Sequence, residues 1–403
     1  MDRIRNPFSP GAGVPPPALV GREAIIDAAA VALHRIRAGR SEKSQIMLGL
    51  RGVGKTVLLN HISDLAEDIG YLTIMMEAPE SQALAAYLSP ALKSTLIRLS
   101  RVEQAKAYTA RAAAALRGFA SAFQVSIGDL ALGLTEIPTA DSGNIEIDLP
   151  ELLLATGRAA RAAGSSVALF IDEIQYLSQD DFSALIVAFH RIAQKGLPLV
   201  LFGAGLPQVA ALAGEAKSYA ERLFAYPTVG ALRPTAARRA IENPIQDEGA
   251  AITLDALQYI SETTEGYPYF IQEWGKHAWN QAPRSPITIS DVQVAGAEAV
   301  KTLDASFFRV RFDRLTPREQ DYLRAMADLG PGPHRSGAIA DRLGRKVEGM
   351  GPLRSGLIRK GMIWSPAHGD TAFTVPMFDQ FMQRVMPDWS PSSRKKKKGK
   401  RAQ

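Results

Sequence analysis

The residues best suited to chemistry lie in one stretch, Gly49-Leu50-Arg51-Gly52-Val53-Gly54-Lys55-Thr56, which fits G-x-x-x-x-G-K-[ST] at every position. Glycines at 49, 52 and 54 let the backbone wrap tightly enough to aim N–H groups at phosphate oxygens. Lys55 has the reach for β- and γ-phosphates, and the Thr56 hydroxyl suits Mg2+. A second pair, Asp172-Glu173, ends the apolar run Val167 to Ile171. Beside a phosphate loop, Asp172 can hold the Mg2+ of a bound ATP through water, and Glu173 can orient the attacking water. The chemistry these types and spacings support is phosphoryl transfer to water.

Such groups need elements to hold them. Gln45 to Leu48 is a short apolar run that reads as a buried strand. Val57, Leu58, Leu59, Ile62 and Leu65 then follow at helical spacing and stop at Gly70. The loop therefore sits between a strand and the N-terminus of a helix, whose dipole favours anions. Further strands are expected at Tyr71–Met76, Val167–Ile171, Leu199–Phe202 and Tyr226–Val229, with helices between them. This alternation predicts an α/β domain with a parallel sheet, and ligands of such sheets bind at the carboxyl ends of the strands. Within it, residues 81–120 read as helices broken near Pro90, 123–134 as a small hairpin, and Asp148 as the cap of a helix with Pro150 in its first turn.

From Arg233 the pattern turns all-helical. After Leu315 three helices and a hairpin (Met362–Trp364, Ala372–Val375) follow the order of a winged helix-turn-helix, and a last helix spans about Phe378 to Val385. The predicted organisation is an extended, Pro-rich lead-in over 1–17 and a nucleotide-binding domain over 18–232 that carries an insertion at 81–147. A helical lid follows over 233–312, then a winged helix over 313–390 and a basic tail over 391–403.

Composition narrows the function classes. The chain has 403 residues, 46% of them hydrophobic, enough for two or three domains with real cores. It has no cysteine, so disulfides, thiolate metal sites and a Cys nucleophile are excluded, and a reducing cytoplasmic setting fits. Residues 1–17 lack the apolar core of a secretory leader. No window approaches the roughly 18 apolar residues of a membrane span, so no membrane partner is expected. The net charge of +6 comes from the tail, where Arg394 to Arg401 hold seven Lys and Arg; the rest of the chain sums to about −1. The tail has no aromatic residue to stack on bases, so its binding to nucleic acid would be to phosphates and non-specific. The six histidines show no ligand spacing.

With these motifs in place, the chain resembles the AAA+ ATPases, in the branch shared by archaeal and bacterial predicted ATPases, origin-recognition initiators and STAND NTPases. The resemblance spans about residues 18–390. It rests on Leu19-Val20-Gly21-Arg22-Glu23, the phosphate loop, Leu169 to Glu173, Phe202 to Pro207 and Gly266-Tyr267-Pro268. It implies a three-layer P-loop domain, a helical lid and a winged helix, with ATP and Mg2+ as cofactors. It implies that Val20 and Gly21 lie against the adenine, that Pro268 packs near the base, and that Arg222 acts as an arginine finger in a neighbouring copy of a homo-oligomer. Two departures stand out: Gly203-Ala204-Gly205 offers no polar γ-phosphate sensor, and Gly266-Tyr267-Pro268 carries no Arg. Both imply slow hydrolysis, and so a switch.

Two kinds of partner stay open. Arg345, Lys346, Arg354, Arg359 and Lys360 are the cations that a recognition helix and its preceding turn would offer to duplex DNA, and residues 309–388 hold 13 Lys and Arg against 9 Asp and Glu. In STAND proteins the same module binds protein instead, and an unknown protein partner fits that case.

Overall fold

The computed structural model describes residues 1–11, 13–78, 83–130, 132 and 135–391. The chain divides into two compact bodies. One comprises 21–49 and 54–230, the other 1–20, 50–53 and the chain from 231 onward.

The first body is built on five strands: β1 (Ser44–Leu48), β2 (Tyr71–Glu77), β3 (Ser166–Asp172), β4 (Leu199–Gly205) and β5 (Phe224–Ala225). They pair in parallel in the order β2-β3-β4-β1-β5. The central strands are buried on both faces, as a parallel sheet requires, which is why they read as unbroken apolar runs. Phe170 and Phe202 sit in register on β3 and β4 and stack with ring centroids 5.3 Å apart. Helices α1 (Glu23–Arg37), α2 (Lys55–Ile69), α3 (Leu84–Leu99), α4 (Lys106–Ala122), α5 (Ile145–Ala162), α6 (Gln179–Gln194), α7 (Val209–Ala216) and α8 (Ala220–Leu223) accompany the sheet. The last strand is shorter and earlier than Tyr226–Val229. Pro227 cannot donate to a ladder, and beyond Ala225 only a bridge between Leu48 and Thr228 continues the pairing.

Three local expectations are corrected. Helix α3 runs through Pro90 without a break. The buried ladder Leu84, Leu88, Leu92, Leu96 and Leu99 packs into the core, and this burial outweighs the roughly 3 kcal/mol penalty of an interior proline. Residues 123–130 form no strand: a turn at Phe123-Gln124 leads into irregular chain. Its carbonyls are met by cations instead of a partner strand, with Lys93 Nζ donating to Ile127 O at 2.7 Å and Arg117 donating to Leu132 O at 2.6 Å. Ala131, Gly133 and Leu134 of the expected hairpin lie outside the described residues. Asp148 is not a cap. Asn144 caps α5, accepting from Glu146 N at 3.0 Å, while Asp148 lies buried one turn inside and accepts from Ser142 Oγ at 2.7 Å and Gly143 N at 2.9 Å.

The second body begins with α9 (Pro234–Asp247), α10 (Leu254–Thr263), α11 (Pro268–Gln281) and α12 (Ile289–Leu303). Thr288 and Asp291 form a capping box at the start of α12. A π-helical turn, Asp304–Phe308, passes into α13 (Arg309–Asp313). The lead-in is packed here: Phe8 is buried against Gly275 of α11, where a Cβ would stand 2.6 Å from its ring, and Trp279 Nε1 donates to Asp2 O at 2.7 Å. Burying one phenylalanine is worth about 1.5–3 kcal/mol, a reason for this Pro-rich segment to be held. The C-terminal part has α14 (Pro317–Asp328), β6 (His334–Arg335), α15 (Ser336–Leu343), α16 (Gly351–Arg359), β7 (Ile363–Trp364), β8 (Asp370–Phe373) and α17 (Phe378–Val385). Its small antiparallel sheet has the order β6-β8-β7. Thr316 and Glu319 form the capping box that starts α14. The basic run Arg394 to Arg401 lies outside the described residues.

Candidate functional site

In the first body the chemistry gathers at the carboxyl ends of β1, β3 and β4. Gly49, just past β1, donates its N–H to Gly205 O at 3.0 Å and so joins the phosphate loop to the end of β4. Gly54 stands at φ 91°, in the left-handed region, and starts α2. Lys55 is the first helical residue and is only 7% exposed. The first turn of α2 has no side-chain cap and no acidic residue, so its backbone donors keep the character of an anion site.

Thr56 meets Asp172 directly: its Oγ1 donates to Asp172 Oδ2 at 2.6 Å. The other oxygen, Oδ1, accepts from Glu173 N at 2.8 Å. Burial pushes the Asp172 carboxyl above its ordinary range, against the opposing pull of these two hydrogen bonds. A desolvated carboxylate beside a hydroxyl is a fitting seat for a divalent cation. Among the described residues no three His, Cys, Asp or Glu side chains gather as a ligand set. A hydroxyl and one carboxylate suit Mg2+, which takes one or two protein oxygens and fills its shell with phosphate and water.

Glu173 adopts φ 48° and ψ 38°, unusual for a residue with a Cβ and costing about 1–3 kcal/mol. It opens the 3-10 turn Ile174–Tyr176, and its Oε2 accepts from Gln175 Nε2. Val57 is half-buried on α2. Gly21 is exposed at φ 72°, and its N–H donates to Glu23 Oε1 at 3.1 Å. Arg22 is buried, donates to Gly230 O, and is pushed below its ordinary pKa by that burial. Arg222 is exposed on the one-turn helix α8.

The tip of the loop, Leu50 to Val53, belongs to the second body, as do Val20 and Pro268. Tyr267 OH donates to Arg51 O, and Tyr269 N donates to Gly52 O at 3.3 Å. Gly52 has φ 80°, and a Cβ on it would lie 3.0 Å from the Tyr267 ring. Pro268 takes the first position of α11 and so places the two tyrosines on the loop tip. Arg311 is an addition that sequence reasoning missed. Its guanidinium lies 3.9 Å from the Phe307 ring centroid, and Phe307 stacks on Tyr269 at 4.7 Å. Burial first, then the neighbouring Arg51, push Arg311 down to about 10. The four-residue step from Phe307 to Arg311 was the one available signal.

The five cations expected to face DNA do not act alike. Arg354 is turned inward, donating to Thr371 Oγ1 at 3.0 Å, Ser365 Oγ at 2.8 Å and Asp370 O at 2.9 Å, and so ties α16 to the hairpin. Lys360 Nζ pairs with Glu319 Oε2 at 2.7 Å and donates to Arg314 O at 3.0 Å. Each contact satisfies a group inside the module; Arg354 is half-buried, while Lys360 stays exposed. Arg345, Lys346 and Arg359 are exposed.

Residues 18–202 match the family model of the AAA ATPase domain, and residues 305–382 match a domain of unknown function, DUF8462. No curated protein matches the sequence. Among solved structures, the chain is similar to the Walker-type ATPase PABY2304 of Pyrococcus abyssi, with 17% identity, coverage of 91% of this chain and 96% of that one, and a TM-score of 0.56. Weaker likenesses are to the Orc1 protein of Aeropyrum pernix in complex with DNA (15% identity, 91% and 93% covered, TM-score 0.46) and to the RuvB Holliday junction branch migration motor of Thermotoga maritima (15%, 87% and 92%, 0.43). The parallel sheet, the complete phosphate loop and the match over residues 18–202 agree on the P-loop NTPase fold, similar to that of AAA ATPase domains.

Proposed function

We propose that the chain binds ATP with Mg2+ and hydrolyses it slowly to ADP and phosphate, as a nucleotide-dependent switch. The observation that carries this reading is the 2.6 Å contact of Thr56 with Asp172 beside the uncapped first turn of α2. Lys55 and the backbone donors of the loop bind the phosphates, while Thr56 and Asp172 hold the cation. Bound Mg2+ supplies neutralisation of phosphate charge. Glu173 orients and polarises the attacking water. Slow turnover follows from a β4 end without a polar side chain and a Gly266-Tyr267-Pro268 turn without an Arg. The expected rate lies below about 10 per second, the median for enzymes. Arg222, exposed ahead of β5, acts in trans in a homo-oligomer under this reading.

The C-terminal module is proposed to be a winged helix that couples the nucleotide to DNA through Arg345, Lys346 and Arg359. The second reading, a STAND-like assembly ATPase whose module binds protein, is favoured by the inward turn of Arg354. One experiment separates them: turnover and duplex binding for the chain cut after Ser390, with Glu173→Gln as control. Three phosphate contacts predict a slope of log affinity on log salt near −3. DNA-stimulated turnover with that slope supports the first reading. Turnover indifferent to DNA supports the second, and unchanged turnover in Glu173→Gln removes Glu173 from its role.

A further inference from the structure

We infer that Gln175 is a positioning residue for Glu173, linking the candidate catalytic carboxylate to the end of β4. Its side-chain amide is held at both ends. Leu206 N–H, the first donor beyond β4, donates to Gln175 Oε1 at 3.1 Å, and Gln175 Nε2 donates to Glu173 Oε2. The amide has one acceptor end and one donor end, and each partner admits only one of them. A backbone N–H selects the oxygen, so the NH2 is left facing the carboxylate. The direction of the amide is set by the strand end.

The space for this bridge is made by glycine. A Cβ on Gly205 would stand 3.0 Å from Gln175 Oε1, 2.9 Å from Ile174 Cγ2 and 2.8 Å from Val209 Cγ2. A Cβ on Gly203 would stand 3.2 Å from Ile174 Cδ1. The run Gly203-Ala204-Gly205 is therefore small because the turn after β3 leans over it. The strand end brings no polar side chain of its own, and Gln175 brings the amide to that place. Gly205 O also accepts from Gly49 N at 3.0 Å, so the strand end that seats Gln175 is bonded to the first glycine of the phosphate loop. Glu173 stands at a left-handed backbone position, outside the regular hydrogen bonding of β3, so a side-chain bond helps to fix its direction. The bond is charge-assisted, the stronger kind.

This inference rests on the reading of Glu173 as the water-orienting group. The test is steady-state ATP turnover and ATP affinity by calorimetry for Gln175→Glu and Gln175→Met in the full chain. Gln175→Glu keeps the size and the acceptor for Leu206 N–H but replaces the donor with a second carboxylate oxygen. Gln175→Met keeps the volume and loses both bonds, and it carries the test should the first variant not fold. The expected result is a fall in turnover at saturating ATP of about tenfold or more, with affinity within about twofold, since misplacing one catalytic group has costs of that order. In the background of Glu173→Gln, the change at 175 should lower the residual rate no further, because the two act as a unit. Wild-type turnover in both variants overturns the inference while leaving Glu173 in place. Losses that multiply in the double variant overturn it too. Wild-type turnover in Glu173→Gln alone defeats the underlying reading first.

Discussion

Replacing Gly205 with alanine adds one methyl group at the most constrained point of the candidate site. That methyl would meet Val209 Cγ2 at 2.8 Å, Ile174 Cγ2 at 2.9 Å and Gln175 Oε1 at 3.0 Å, all at or inside the limit that real Cβ atoms observe. None of the three can easily give way. Val209 and Ile174 are buried in the main core, and the Gln175 oxygen is held by Leu206 N–H. Nor can the backbone retreat freely, because β4 is paired with β1 through Gly205 and accepts from Gly49. Overpacking of this kind costs about 1–3 kcal/mol. For a body of about 200 residues each kcal/mol lowers Tm by about 2–4 °C, so Gly205→Ala should melt roughly 2–12 °C below wild type. Gly214 is the control: it lies within α7 and a Cβ there meets nothing within 4 Å, so Gly214→Ala should hold or raise Tm. Calorimetric melts of the three proteins decide the matter. A Gly205→Ala variant that melts with wild type would refute the claim that the turn after β3 fills the space over β4.

Other outcomes follow from the same geometry. In metal-free buffer at pH 8, Asp172→Asn should melt at or above wild type by up to a few degrees, while Mg2+ with ATP should raise the Tm of wild type more than that of the variant. The sign follows from burial: a carboxyl held above its ordinary value of 3.8 contributes stability that is present below that value and is lost as pH rises through the folded one. A variant several degrees less stable at pH 8 would contradict it. Lys55→Ala should lose most ATP affinity, since a charged phosphate contact in a formed loop disappears, and calorimetry showing undiminished binding would remove the site assignment. Tyr267→Phe leaves the carbonyl of Arg51 without this donor, at a cost of about 1–3 kcal/mol, and should loosen the loop tip and weaken ATP binding several-fold; equal melts and equal affinities would speak against that role.

What could be read from the sequence was whatever is written in local spacing. The phosphate loop, the Asp172-Glu173 pair at a strand end, the Thr316 cap and the helix Phe378–Val385 each depend on neighbours within a few positions, and each stands where those neighbours put it. The misreadings have a common cause. Pro90 breaks a helix in isolation, but a leucine face buried along the whole of α3 overrides it. Asp148 looks like a cap, yet the loop at Ser142-Gly143 folds back to use it as an acceptor. Alternation over 123–127 looks like a strand, yet Lys93, distant in sequence, supplies a hydrogen bond to Ile127 O where a partner strand was expected. The contacts that Arg354 and Lys360 make inside the module were not legible either, because composition reports charge and not direction.

Taken alone, the small run at the end of β4 reads as a loss. By itself, Gly203-Ala204-Gly205 offers nothing to a phosphate. Placed beside the turn after β3, it is a shape into which Ile174 and Gln175 fit. A side chain grown from Gly205 would crowd Ile174 and Gln175, and one grown from Gly203 would crowd Ile174 and Ile46. A polar group standing on β4 would also move only with its own strand. An amide supplied by the neighbouring turn touches Glu173 through one end and the β4 end through the other, so a change at either contact reaches the other through a single side chain. Glycine at the strand end and glutamine two residues after Glu173 are therefore one device. Restoring a polar residue at 203 or 205 should hinder hydrolysis, where a reading based on a missing sensor alone would have it help.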